Sequence, residues 1–157
     1  MVKAMKKFSK QDQRLLATWA ADCALRVLPF FEEARPKDGR PRKAIDACRA
    51  WARTGAFSMV VIRKASLDAH AAARGAKGAA RFAARAAGQA VATAHVPLHA
   101  FGTAYYALKA VAAADPARAK AKIARELDWQ TRRIPKSLRP SWRVFQSTRL
   151  PKSLRQV

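Results

Sequence analysis

Three histidines are the residues of this chain whose type and spacing could support chemistry. His95 and His99 are four positions apart, which is the spacing of two metal ligands on one helix face. Pro97 lies between them and disfavours helical geometry in the residue before it, so we expect a helix to begin at Pro97 and His95 to precede it. The third histidine, His70, belongs to an earlier segment, and the residue directly after His95 is Val96 and not Glu. The sequence therefore predicts no metal site and favours hydrogen-bonded histidines in a polar seam.

The same histidines could still converge between the third, fourth and fifth helices. Asp22, Asp46 and Asp68 are candidate carboxylate partners, and a His–Asp pair can do general acid–base work. More often such a pair satisfies polar groups inside a bundle. No Ser or Cys stands in a nucleophile-elbow pattern, and Gly75 and Gly78 alone do not make a phosphate-binding loop. A histidine-dependent enzyme is thus the weakest functional interpretation, and we predict no catalytic residues and no cofactor.

The elements that position these residues are predicted to be helices. Of the 157 residues, 37 are alanine, the best helix former and a residue that buries little area. Residues with strand preference never cluster in period-two runs. We therefore predict an all-α fold, a single bundle of about six helices with an alanine-rich core. The bundle should span residues 11–134, between a basic N-terminal arm at 1–10 and a basic tail at 135–157.

Caps, prolines and apolar stripes predict where the helices begin and end. Ser9 and Asp12 resemble a capping box at the start of the first helix, which Pro29 should bend or restart. Asp115 precedes a proline and should cap the sixth helix. The last apolar stripe reaches Leu127, so we expect the core to end near this residue.

Both cysteines lie on apolar helix stripes. Cys23 is in phase with Trp19, and Cys48 is in phase with Trp51, so we predict two buried free thiols rather than a disulfide. Free thiols suggest a reducing cytoplasm. No segment is long and apolar enough to span a membrane.

The C-terminal part of the chain presents one cationic element twice. Residues 145–155 (FQSTRLPKSLR) repeat the pattern of residues 129–139 (WQTRRIPKSLR). Cations with interleaved aromatic rings are what single-stranded nucleic acid binding needs, but Trp129 and Trp142 could instead dock the tail onto the bundle. The recurrence of Leu138 and Leu154 in phase favours docking. The candidate nucleic-acid contacts are Arg132, Arg133, Lys136, Arg139, Arg143, Arg149, Lys152 and Arg155.

The net charge of +22 is extreme for this length. Such a field attracts nucleic acid, an anionic membrane or an acidic protein. A GC-rich genome would also enrich alanine and arginine, so the same charge could belong to solvated helix faces without a partner. Four cations at the start and along one face of the second helix could bind an acidic surface or be solvated: Arg40, Arg42, Lys43 and Arg49.

Several stretches between about residues 15 and 112 resemble a family of small all-helical bacterial proteins called putative immunity proteins. The clearest are Trp-Ala-Ala-Asp-Cys at 19–23, Arg-Pro-Arg at 40–42 and Ala-Thr-Ala-His at 92–95. The first copy of the repeated element looks like the C-terminal ending of the family, so the second copy would be an extension.

The resemblance implies a non-enzymatic protein that binds a cognate toxin and blocks it. The matching motifs contain Asp22, Arg42, His70, His95 and His99 as candidates for a shared partner-binding site, and Arg49 on the basic helix face is added to them. Immunity proteins against nucleases are commonly acidic, whereas this chain could not mimic a phosphate backbone. A nucleic-acid-associated basic helical protein is the alternative interpretation.

Overall fold

The computed structural model describes residues 5–155, and within this range the chain forms seven α-helices and no strand. Residues 1–4 of the predicted arm and residues 156–157 of the predicted tail lie outside the described range. The prediction of an all-α bundle is confirmed, with one helix more than expected because the tail contains α7. The helices are α1 (Lys10–Ala34), α2 (Arg40–Thr54), α3 (Met59–Arg74), α4 (Gly78–Ala92), α5 (His99–Ala114), α6 (Ala119–Arg133) and α7 (Arg139–Thr148).

The first helix begins as its sequence predicts but does not restart at its proline. Asp12 N–H donates to Ser9 Oγ at 3.0 Å, and Ser9 N–H donates to Asp12 Oδ2 at 3.1 Å, which is a complete capping box. The helix then continues through Pro29 to Ala34. Because Pro29 is exposed, the carbonyl that it leaves without a helical donor lies on the solvent side, where water can satisfy it.

Helix α4 lies at the centre of the bundle and packs against α1, α2, α3 and α5. Its buried face consists almost entirely of small residues, which allow neighbouring helices to approach closely. Large side chains are concentrated on α1 and α5, where Trp19 and Phe101 are buried and their rings meet edge to face at 5.9 Å. The alanine-rich faces therefore set close helix packing, and a few aromatic rings fill the remaining space.

Both cysteines are buried and unpaired, as predicted. The Cys48 thiol donates to Ala90 O at 3.1 Å, and burial raises its pKa to about 12. Burial also raises the pKa of the Cys23 thiol well above its usual range. Thiols of this kind are poor nucleophiles at neutral pH, so their contribution is to packing.

The core does not end near Leu127, and this expectation is wrong. Leu138, Trp142 and Leu150 of the tail are fully buried in the same core as the bundle. The Trp142 ring stacks on Phe101 at 5.6 Å and meets Trp19 at 5.2 Å. Burying three such apolar side chains is strongly favourable, which explains why the basic tail docks rather than extends into solvent.

The sequence repeat of the tail is also a structural repeat. Each copy contains the end of a helix, followed by a proline and a 3₁₀ turn, at Lys136–Leu138 in the first copy and Lys152–Leu154 in the second. Pro135 and Pro151 have almost the same backbone angles (φ −52°, ψ 139° and φ −56°, ψ 146°). The leucine of each 3₁₀ turn is buried, so the repeated pattern serves to anchor the tail twice.

The seven helices do not have what a membrane-spanning helix requires. None of the helices within residues 5–155 combines the length and the apolar character needed to cross a membrane.

Candidate binding site

A half-enclosed cleft of about 350 Å³ brings the three histidines together between α3 and the α4–α5 connection. His70 enters it from α3, His95 from the connecting turn and His99 from the first residue of α5. Its lining has an apolar part, Met59, Ile62 and Leu67, which we call the walls, and a polar part, Ser66, His70, Gln89 and His99, which we call the base. The residues that line this histidine cleft are Met59, Ile62, Arg63, Ser66, Leu67, His70, Gln89, Ala92, His95 and His99.

The side chain of His70 is half-buried and neutral. Arg85 Nη1 donates to His70 Nδ1 at 2.9 Å, and because a guanidinium has only donors, Nδ1 must accept and the imidazole proton must lie on Nε2. Burial lowers the pKa of His70 to about 4, and the nearby positive charges of Arg85 and Arg74 act in the same direction. His70 therefore stays uncharged at neutral pH.

Two glycines inside helices make room for the base of the cleft. A Cβ added to Gly88 would lie 2.6 Å from His70 Nε2, and one added to Gly102 would lie 2.9 Å from Gln89 Oε1. Contacts this short do not occur for real Cβ atoms, and glycine is otherwise unfavourable within a helix. The Ser66 hydroxyl also donates to the Gly88 carbonyl at 3.0 Å, which ties α3 to α4 at the same point.

His99 is held by an amide rather than by a carboxylate. Its Nδ1 lies 2.7 Å from Gln89 Oε1, so the imidazole donates and the amide oxygen accepts. Burial is the main cause that lowers the pKa of His99, followed by the charge of His95. His70 and His99 are thus both half-buried and neutral at the base, His70 bonded to Arg85 and His99 bonded to Gln89.

His95 differs from the other two because its side chain is exposed. The expectation that it precedes the helix of His99 is correct, but that helix begins at His99 and not at Pro97. His99 N–H donates to Val96 O, and Ala100 N–H donates to Pro97 O, so a short turn separates α4 from α5. Within residues 5–155 no three His, Cys, Asp or Glu side chains are arranged so that they could hold a metal ion together.

The candidate His–Asp pairs do not form in the described part of the chain. Asp68 lies two residues before His70, which places it on another side of α3, and its carboxylate accepts from Lys64 at 2.6 Å. Asp22 accepts from arginines, and Asp46 is exposed. In the described part of the chain no carboxylate is hydrogen-bonded to any of the three histidines, so the partners are an arginine and an amide.

The cleft is flanked by an exposed apolar surface that the sequence reasoning missed. Met59, Val60 and Leu67 on α3 and Val96 on the connecting turn are all exposed, Val60 by 77%; we call these four residues the apolar rim. Val60 and Leu67 are seven positions apart and lie on one face of α3 beside the cleft. The signal available was four consecutive apolar residues, Met59 to Ile62, which is more than one buried helix face can use.

The remaining candidates from the sequence lie elsewhere. Asp22 accepts from Arg49 at 3.4 Å and from Arg133 at 3.3 Å, and so connects α1 with α2 and α6. Arg42 forms a two-pronged pair with Glu32 at 2.7 and 2.8 Å, and this partner lowers the pKa of the Glu32 carboxyl. None of Asp22, Arg42 and Arg49 lines the histidine cleft, so the six candidates do not form a single site.

The eight candidate nucleic-acid contacts divide into cations that have a partner in the protein and cations that form no ion pair in the described range. Arg133 pairs with Asp22, Arg132 pairs with Asp128, and Arg139 and Arg155 donate to backbone carbonyls. The other four are exposed and form no ion pair within residues 5–155: Lys136, Arg143, Arg149 and Lys152.

The aromatic rings of the tail are occupied by contacts within the protein. Trp142 is fully buried, and Phe145 stacks on it at 5.8 Å. The Arg26 guanidinium lies 4.1 Å from the centre of the Trp129 ring. Docking of the tail aromatics is therefore the alternative that the structure supports, and these rings do not form an open platform for bases.

The fold defines the class of this protein as a small all-α helical bundle with a polar-based cleft and an exposed apolar rim. The model of the Imm-5 like putative immunity protein family matches residues 6–137, which is most of the chain, and the protein belongs to this family. The match ends within the first copy of the repeated element, so α7 and the second copy lie beyond it. No curated protein and no solved structure matches the chain.

Proposed function

We propose that this protein is an immunity protein that binds a cognate bacterial toxin and neutralises it by occlusion, without chemistry of its own. Family membership supports the immunity role. Tightly held thiols and histidines bonded to Arg85 and Gln89 supply no activated nucleophile, which favours binding over catalysis.

The observation that carries this proposal is the apolar rim. Exposed apolar groups beside a concave site are typical of protein interaction surfaces. In a chain with a net charge of +22, these four exposed apolar side chains, which line the cleft or adjoin its lining residues in the chain, stand out from the cationic surface. When a partner binds, such a patch would exclude water from the centre of the interface, while the surrounding cations would favour an acidic partner.

The test is a binding and protection assay with a matched pair of variants. The purified C-terminal domain of a toxin encoded next to the gene is titrated with the wild-type protein, with Leu67→Asp and with Val61→Asp. Leu67 and Val61 are equally exposed, 56% and 57%, and both lie on α3, but helical geometry places Val61 away from the cleft.

We expect Leu67→Asp to weaken toxin binding at least about tenfold, because a carboxylate would be desolvated at the interface. Val61→Asp should bind as the wild type does. If both variants lose toxin binding equally, or if neither loses it, the rim is not the toxin-binding surface. Failure of the wild-type protein to bind the toxin or to protect against it would refute the immunity role itself.

A second candidate function is association with nucleic acid through the exposed cations of the tail. Lys152 and Arg155 line a cleft of about 850 Å³ together with Lys120, and this positive region supports contact with phosphates. Because the aromatic rings of the tail already pack within the protein, the cations would contact the phosphate backbone of the nucleic acid. Binding would then not depend on the base sequence.

Salt dependence tests this second candidate. Replacing Lys136, Arg143, Arg149 and Lys152 by Gln should lower affinity for duplex DNA and reduce the slope of log K against log salt by ~0.9 for each phosphate that is no longer neutralised. A control chain with the same reduction of charge has Gln at Lys37, Lys43, Arg53 and Lys77. An equal change in slope for both chains would show that the charge acts without a defined site.

A further inference from the structure

We propose that the histidine cleft binds an apolar group that carries a carboxylate. Two sources share this chemistry: a side chain of the partner protein, and a free small molecule. The first source rests on the proposed immunity function, whereas the second does not.

The walls of the cleft fit an apolar group. Met59, Ile62 and Leu67 form them, and Met59 and Leu67 are exposed while nothing covers them in the described part of the chain. A volume of about 350 Å³ is within the usual range for small-ligand sites and accepts one aromatic or branched aliphatic group.

The charges around the cleft favour a ligand of negative charge. Within residues 5–155 no carboxylate lines it, whereas Arg63 does. Arg63 is exposed and has no ion-pair partner in that range. A ligand cation would meet this guanidinium without compensation, while a ligand carboxylate could bind it through two parallel hydrogen bonds.

The base of the cleft is suited to accept such a group without a competing charge. His70 and His99 are held neutral by burial, and Arg85 and Arg74 add positive potential next to His70. Each neutral ring has a single N–H: that of His99 is donated to Gln89, and that of His70 is on Nε2, next to Gly88. The ligand charge is therefore balanced by the arginines, and the uncharged rings neither oppose it nor add to it.

The base is also a specific construction rather than incidental packing. Gly88 and Gly102 lie inside helices, and each leaves the space that a polar side chain of the base occupies. Glycine in a helix interior is destabilising relative to alanine, and the close approach of His70 and Gln89 explains why glycine stands at these two positions.

The experiment uses the full-length, ¹⁵N-labelled protein and three small probes at constant ionic strength. Phenylacetate carries both features, phenylacetamide lacks the charge, and acetate lacks the apolar group. We expect phenylacetate to shift the Gly88 amide and the imidazole signals of His70 and His99 saturably, with a Kd on the order of 1 mM. Both other probes should bind at least about tenfold more weakly.

Two variants separate a specific site from general attraction to a cationic protein. Arg63→Gln should weaken phenylacetate binding about three- to fivefold, as expected for an exposed ion pair. Arg125→Gln makes the same charge change on the exposed surface of α6, away from the cleft, and should leave binding unchanged. Equal affinity for phenylacetate and phenylacetamide, absence of shifts at Gly88, or equal effects of the two variants would each overturn the proposal.

The two sources are distinguished by competition with the toxin domain. If a partner side chain enters the cleft, phenylacetate and the toxin domain will displace one another. If the source is a free small molecule, both will bind together. Because phenylacetate binding is measured without a toxin, its failure would overturn the cleft proposal while leaving the immunity proposal intact.

Discussion

His70 and Gly88 are packed so closely that no other residue can replace the glycine without a shift of the imidazole. The space that a Cβ would need lies 2.6 Å from His70 Nε2, while the opposite nitrogen of the ring accepts from Arg85 at 2.9 Å. The ring is therefore fixed between the backbone of α4 and a guanidinium of the same helix. This contact sets the spacing of α3 and α4 at the base of the histidine cleft.

The first prediction concerns this contact. Gly88→Ala should lower the free energy of unfolding by ~1–3 kcal/mol, because overpacking outweighs the gain in helix propensity. Denaturant unfolding measures the change. Gly75→Ala is the control, since a Cβ there would lie 3.7 Å from its nearest neighbour. In the double variant His70→Ala, Gly88→Ala the effect of Gly88→Ala should disappear, and strict additivity would contradict the proposed contact.

The second prediction concerns the docked tail. Trp142 is fully buried against Phe101 and Trp19, so Trp142→Ala should lower the free energy of unfolding by ~3–5 kcal/mol. Arg143→Ala, at the exposed neighbour, should change it by less than about 0.5 kcal/mol. Removing residues 141–157 should destabilise the bundle more than either substitution. A truncated chain with an unchanged melting temperature would show that the buried tail contributes nothing to stability.

The third prediction concerns the pair that links α1 to α6. Arg26 donates to both carboxylate oxygens of Glu126, at 2.7 and 3.0 Å, and Glu126 is 5% exposed. Arg26→Met should cost ~1–3 kcal/mol, because it leaves a buried carboxylate without its partner. The double variant Arg26→Met, Glu126→Met removes both charges and should recover most of that loss. Thermal unfolding of the three variants tests this, and no recovery would point to packing alone.

The fourth prediction is a pH dependence of stability. The pKa of His70 is lowered to about 4 in the folded protein, below the ordinary histidine value of about 6.5, so protonation favours the unfolded chain. The stabilisation is fully present above about pH 6.5 and is lost as the pH falls towards 4, by up to about 3 kcal/mol. His70→Gln should flatten this part of the profile.

Carboxylates that pair with cations also make stability depend on pH, but mainly at lower pH than His70 does. The pKa values of Asp12, Glu32 and Asp38 are lowered by their hydrogen-bonded partners. Their contribution is therefore present above their ordinary pKa values of about 4 and is lost below them. The difference between the wild-type and His70→Gln curves isolates the histidine, and identical curves between pH 4 and 6.5 would contradict the lowered pKa.

Local patterns were enough to predict the type of these elements but not all of their boundaries. Helix α1 runs through Pro29, α5 begins after Pro97, and Asp115 precedes a 3₁₀ turn and does not cap α6 with its side chain. The alanine content and the absence of period-two runs indicated helices, and the Ser9–Asp12 box marked the start of α1 correctly. The phase of Cys23 and Cys48 with apolar neighbours indicated two buried thiols. Each of these features depends on residues within a few positions of one another, where helical periodicity and capping chemistry act directly.

The tail was only partly predictable. The repeated phase of Leu138 and Leu154 favoured docking, but the apolar stripes placed the end of the core near Leu127. A short amphipathic helix such as α7 can be stable only against a partner surface, and its partner rings, Trp19 and Phe101, come from distant parts of the chain. Nothing local to the tail indicates that those rings leave a space for Trp142.

The sequence by itself determined the helical class, the main helix phases, the family resemblance and the types of residues available to a site. Only the tertiary structure decided that His70, His95 and His99 share a cleft while Asp22 joins an ion network elsewhere. It also decided that an apolar rim remains exposed. The physical reason is that alanine-rich helix faces can pack in many registers with similar burial, so specific contacts between distant residues, such as His70 on Gly88, select one arrangement.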